Sequence, residues 1–197
     1  MNDPERYKWG TGLVVFDADG EVRSHTYVEI DKYHLITGTP LVDSAANVTL
    51  AGYTDGAIAG FTNQGGDDGV VFQLSQLGAL NWAQMFGTAA TDSVGGLCLG
   101  PNGDIFLSGY TGGTLFGTAL GGNDAVVGRL MSSSGVPIWT RQFGGPGDEY
   151  GLAVALDKYG DVFVAGAATS ALARGLTAGY GGLDAYAAKF SPSGTPQ

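Results

Sequence analysis

One seven-residue pattern recurs along this chain and limits what it can fold into. Residues 160–166 read GDVFVAG, residues 103–109 read GDIFLSG, and residues 46–52 read ANVTLAG. Each is a tight turn feeding an apolar strand: Asp161 serves the turn, Val162 to Ala165 favour β structure, and Gly166 marks the end. The closing glycines, Gly52, Gly109 and Gly166, are equally spaced. Their period, slightly above 50, points to a repeat array of small β units, with propeller blades foremost.

Other landmarks keep the phase. Trp82 and Trp139 are separated by the same interval, as are Phe86 and Phe143. Gly20, Gly78, Gly135 and Gly194 follow at 58, 57 and 59, whereas Asp68, Asp124 and Asp184 drift to 56 and 60. Constant strands joined by elastic loops are how a repeat protein tolerates change. Within one unit the order is VGGLCLG, GDIFLSGYT, NDAVVGRL and PIWTRQFG, four candidate strands. The wholly apolar second strand needs cover on both faces, which neighbouring blades provide. Alternation in NWAQMFG sets Trp82, Gln84 and Phe86 on one face. The small residues of VGGLCLG and LAVALD suit a crowded strand near a central axis.

The units divide the chain into residues 1–39, an N-terminal half blade and connection; 40–96 and 97–153, two repeat units; and 154–197, an incomplete unit. All are parts of one propeller domain or assembly. GLVVF at 12–16 and residues 21–27 are the strands of the first part, while 28–39 show no regular pattern. The last unit stops at SPSGTPQ, where its Trp-bearing fourth strand should begin. The fold class is therefore all-β: antiparallel four-stranded blades of a β-propeller, about three and a half units of roughly 57 residues. Alanine-rich residues 165–176 compete as a short helical turn, but their counterparts in the other units are poor helix formers.

Composition agrees with many strands and tight turns. Thirty-five glycines make up about 18% of the chain against a usual ~7%. With 44% hydrophobic and 14% charged residues, the chain is not of disordered type. A net charge of −10 without a basic run excludes nucleic-acid and anionic-membrane binding of the usual electrostatic kind. No apolar stretch is long enough for a transmembrane helix, so no membrane insertion is expected. Cys98 is the one cysteine, which excludes an intrachain disulfide and reads as a structural thiol.

These units resemble the bacterial β-propeller repeat family called SBBP, which is associated with seven-bladed propellers. The resemblance runs over about residues 40–194. It is carried by GG-x-D before the third strand, W-x-x-x-F-G in the fourth, the following G-x-G-D-x-x-G, and GDVFVAG in the second. Three places depart from it. GTAATDSVGG at 87–96 lacks the full glycine-and-acid signal, Ala46 replaces the turn glycine, and Ser24 stands where Trp82 would be. The resemblance implies a fold and no single activity.

No catalytic signature is present: no nucleophile elbow, phosphate loop or metal-ligand spacing occurs around His25, His34 or elsewhere. Asp17, Asp19 and Glu21 in DADGE, and Asp148 and Glu149 in GGPGDE, read as turn formers rather than calcium ligands. Asp68, Asp124 and Asp184 read as turn caps. No catalytic residue, metal or cofactor is assigned. The expected function is non-catalytic recognition or assembly at the bacterial surface, in the periplasm or outside the cell. The variable connections at 54–67, 111–123 and 168–183 offer Phe61, Phe116 and Tyr180 as ligand-binding aromatics. Expected partners are another copy or the missing propeller repeats, or a surface protein or carbohydrate. Two alternatives stand beside it: a structural half-propeller that self-associates, and a carbohydrate-active enzyme with a loop-built acidic site.

Overall fold

The computed structural model describes residues 9–16, 18–30, 32, 34–171 and 181–197. They form four antiparallel sheets in chain order. Blade 1 is a hairpin of β1 (Trp9–Phe16) and β2 (Val22–Ile30). In blade 2, β3 (His34–Ile36) and β4 (Leu41–Val42) both pair β5 (Val48–Thr54), which continues to β6 (Asp68–Leu74) and β7 (Leu80–Phe86). Blade 3 runs β8 (Asp92–Leu99), β9 (Ile105–Thr111), β10 (Asp124–Leu130), β11 (Pro137–Phe143). Blade 4 holds β12 (Glu149–Leu156), β13 (Val162–Ala168) and β14 (Asp184–Phe190). The 2, 4, 4 and 3 strand positions are the expected three and a half blades. Residues 165–168 end strand β13 and 169–171 follow it outside any helix; residues 172–176 of the alanine-rich stretch lie outside the described residues.

The inner strand of blade 2 begins earlier than its pattern suggests. β3 lies within the irregular 28–39 stretch and is separated from β4 by Thr37–Gly38–Thr39–Pro40. Glycine and proline break the alternation that signals a strand, yet Thr37 N–H still donates to Ala51 O at 3.1 Å. Pairing with β5 makes the strand, not its own composition.

Blades stack face to face, and burial follows from that. β6 is buried along its whole length and β9 and β10 at nearly every position, because blades 2 and 3 are covered on both sides. Three apolar clusters lie between blades rather than within them. Leu13 and Val28 of blade 1 pack on Leu50, Val70, Phe72 and Leu74 of blade 2. Ala51, Val71, Trp82 and Phe86 of blade 2 pack on Val94, Ile105, Leu107 and Leu130 of blade 3. Phe106, Ala125 and Val127 of blade 3 pack on Val154, Val162, Val164, Tyr186 and Phe190 of blade 4. Cys98 is half-buried at this last junction, where burial pushes its thiol pKa up and away from reactivity.

The small inner strands meet backbone to backbone. A Cβ on Gly38 would come 2.9 Å from Gly95 O, and one on Gly96 would come 2.9 Å from Ala153 Cα. Bulges at Val94/Gly96 in β8 and Gly151/Ala153 in β12 recur at one register position. The first turn of each unit also repeats in geometry. Gly103 and Gly160 have φ of 84° and 83°, and Ala46 occupies the same place at 61°. A side chain there is strained. Ala46→Gly is expected to stabilise the chain by up to about 1 kcal/mol, the relief of left-handed strain less the entropy glycine adds to the unfolded state. A urea titration of both proteins checks this, and a lower midpoint in the variant refutes it.

Candidate assembly surfaces and the loop face

Blade junctions are clasped at both ends. At one end, Trp82 Nε1 donates to Ser132 O at 2.9 Å and Gln84 Nε2 to Ser134 O at 3.1 Å, so β7 holds the β10–β11 turn of the next blade. Trp139 Nε1 likewise donates to Pro192 O at 3.0 Å. Gly135 and Gly194 accommodate the rings: a Cβ on either would come within 2.6 Å of the indole below. Register puts Ser24 opposite Val15 as Trp82 is opposite Gln73, so Ser24 is the tryptophan's counterpart. Gly78 there faces Thr26 and Leu13 instead of an indole, and an open cleft of about 320 Å³ lined by Thr26, Tyr27, Val28, Ala59, Gly78 and Leu80 remains.

At the other end lie the variable loops and a set of buried acids. Asp68 Oδ2 accepts Gln64 N–H at 2.7 Å and Asp124 Oδ2 accepts Leu120 N–H at 2.9 Å, so each closes the loop before its strand. That is the capping role the sequence suggests. Glu149 Oε2 accepts Gly145 N–H at 2.6 Å and Asp92 Oδ2 accepts Thr88 N–H at 2.6 Å. Asp92 is thus the counterpart of Glu149, one repeat before it, although its loop lacks the glycine-rich motif. The spacing alone would have found it. Asp68 and Asp92 meet at the junction of blades 2 and 3, Asp124 and Glu149 at that of blades 3 and 4, all four essentially buried. Sealed inside junctions, these pairs offer no groove in which a sugar could lie between them. Tyr186, packed beside Glu149 and donating to Tyr150 O at 3.2 Å, has its pKa pushed up, mainly by burial and then by that carboxylate.

The three aromatics read from the sequence have separate settings. Phe61 is exposed on a tight turn in which Ile58 and Phe61 exchange both backbone hydrogen bonds, at 3.2 and 2.8 Å. Ala59 and Gly60 take φ of 48° and 87° in its centre, as a type I′ turn requires. Phe116 packs edge-on against Phe86, with ring centroids 5.6 Å apart, and its N–H and that of Leu115 both donate to Gln142 Oε1. Tyr180 and Asp17 lie outside the described residues. Asp148 Oδ1 accepts Asn123 N–H at 2.8 Å, stitching one blade's loop to the next. Among the described residues, no three His, Cys, Asp or Glu side chains converge as metal ligands, and no helix is long and apolar enough to cross a membrane.

Among the described residues, the two end blades each leave one face open. On blade 1, Gly12, Val14 and Phe16 of β1 and His25 and Tyr27 of β2 face outward, with Tyr27 74% exposed. On blade 4, Ala153, Ala155, Phe163, Ala165, Ala185 and Ala187 face outward. These faces belong to opposite sides of the blade. Ala165 pairs Ala187 as Ala51 pairs Val71, so blade 4 exposes the side that blade 2 packs against blade 3. Blade 1 exposes the side that the later blades turn toward their predecessors.

No curated protein matches the sequence. Among solved structures, the chain is similar to BamB from Moraxella catarrhalis, at 14% identity and a TM-score of 0.31, over 96% of this chain. It spans 66% of that chain, just under two thirds. From the fourth strand of blade 3 through the first two of blade 4, residues 138–172, the chain matches the SBBP family, described as a beta-propeller repeat.

Proposed function

We propose that this chain is a non-catalytic assembly module in which the open face of blade 4 docks on the open face of blade 1 of a second copy. The carrying observation is that the two faces are the two halves of the interface repeated inside the chain. Internally, the forward side offers Ala51 with Val71 and Ala125 near Val127 on its middle strands, beside the aromatics Trp82, Phe86 and Phe106, and the following blade meets it with residues such as Ile105, Leu107, Val162 and Val164. The open faces keep these sides: five alanines with Phe163, the counterpart of Phe106, at one end, and Val14, Phe16 and Tyr27 at the other. Head-to-tail contact between two copies closes a ring and leaves no apolar face in water. An extracytoplasmic setting, at the bacterial surface, in the periplasm or outside the cell, belongs to the same reading.

Light scattering coupled to size exclusion tests it. The expected species has twice the 20.1 kDa chain mass. Val14→Glu and Ala165→Arg should each yield monomer, because each spoils both contacts of the ring. Mixing the two variants should restore a pair joined by the one intact contact. A wild-type chain monomeric at every concentration overturns the second-copy reading.

A second reading, recognition of protein or carbohydrate by the loop face, is favoured by Phe61, an aromatic held out on a rigid turn. Phe116 and Tyr180 are its proposed neighbours on the adjoining connections. A glycan and surface-protein binding screen in which Phe61→Ala leaves all signals unchanged removes Phe61 from that role.

A further inference from the structure

Two carboxylates lie buried together between blades 2 and 3. Asp68 is 0% exposed and Asp92 1%. The donors that reach them, Gln64 N–H on Asp68 and Thr88 N–H and Oγ1–H on Asp92, all go to their Oδ2 atoms. Both Oδ1 atoms are buried without a hydrogen-bond partner. Asp68 is pressed against the backbone as well: a Cβ on Gly87 would overlap its carboxylate. Two buried carboxylates with one orphaned oxygen each are a costly arrangement if both are charged. Asp92 N–H donates to Asp67 O at 2.6 Å, which sets the two acids on adjoining strands, and one proton held between them would supply a donor on one and an acceptor on the other.

We propose that Asp68 and Asp92 share one proton, forming a clasp between blades 2 and 3 that loosens when the proton is lost. The surroundings reinforce it. Asp67 and Asp55 add negative charge from the same loop, and Tyr110 lies beside them on β9. On the strand beyond Thr54 stands His34, and Lys32 packs its backbone and Cβ on Gly56. Two ion pairs, Arg129 with Asp104 and Lys189 with Asp161, lie at the opposite loop end of blades 3 and 4. Burial first, and then the charges of Asp92 and Asp67, raise the Asp68 pKa above its ordinary value, against the lowering effect of the Gln64 N–H.

The sign follows from linkage. A carboxyl whose folded pKa is raised binds its proton more tightly when folded. Its penalty is absent below the unfolded value, 3.8, and grows as pH rises through the folded value. Asparagine at position 68 mimics the protonated acid, since its amide oxygen can accept from Gln64 N–H and its amino group can donate to Asp92. The thermal midpoint of Asp68→Asn, relative to wild type, should therefore climb by several degrees from acid to alkaline pH. A difference constant across pH overturns the proposal. Infrared difference spectra of the wild type should lose a protonated-carboxyl band as pH rises, a readout that stands even if the variant does not fold; absence of the band overturns the proposal too. A wild-type midpoint raised by millimolar calcium, with no such rise in Asp68→Asn, would replace the proton by a cation and equally sink it.

Discussion

Trp82→Ala is expected to cost about 3–5 kcal/mol, the range for removing a large aromatic from a packed core. The ring is 8% exposed and lies in the cluster that joins blades 2 and 3. Its loss uncovers Gly135, whose Cα side the indole roofs, and frees the Ser132 carbonyl from Nε1. In a chain of this size that amounts to roughly 10 °C of thermal midpoint. Because the apolar clusters of the described residues each join neighbouring blades, the damage falls chiefly on one junction, and the unfolding transition should also broaden into two steps. Trp82→Phe separates the contributions: it keeps most of the apolar contact and loses the hydrogen bond, and should cost far less. Trp139→Ala, whose partner blade lacks a fourth strand and whose ring is only half-buried, should be the milder of the two alanine variants. Urea titrations followed by circular dichroism measure all three. Equal losses for Trp82→Ala and Trp82→Phe would refute the packing account.

Gly109→Val should be comparably damaging, at about 3 kcal/mol or more, for the opposite reason. A Cβ at Gly109 would overlap Ser93 O, and one at its counterpart Gly166 would overlap Tyr150 O. Both carbonyls belong to the neighbouring inner strand, just before its bulge. A backbone carbonyl on a paired strand cannot rotate away as a side chain would. The strand must move, and with it the close approach of Gly151, whose own Cβ position is 2.7 Å from Gly109 O. Gly103→Ala in the preceding turn serves as control. There the penalty is the left-handed φ of 84° alone, about 1–2 kcal/mol. If Gly109→Val melts no lower than Gly103→Ala, the close-approach explanation of the repeating glycine fails.

These residues show why the architecture is legible in the chain. Gly109 and Gly166 recur because a carbonyl sits at the same place in blades 3 and 4, and Trp82 and Trp139 because a turn of the next blade does. Repetition turns a tertiary contact into a sequence period, so strand order, blade count and even the capping role of Asp68 and Asp124 can be read from it. Where the repeat is imperfect that legibility fails. The inner strand at 34–36 is hidden by a Gly and Pro interruption, and Asp92 by a loop without the motif's glycines.

The sequence by itself determined the fold: one steady repeat period, four strands per unit, turns at set glycines, and apolar second strands that need cover on both sides. Tertiary structure alone decided what faces what. It joined Asp68 to Asp92 and Asp124 to Glu149, set Phe116 against Phe86 while holding Phe61 out, and left opposite sides of the blade uncovered at the two ends of the described residues. Periodicity is a property of neighbours along the chain, and survives in one dimension. The pairing of faces depends on how blades turn against each other, which no single strand records.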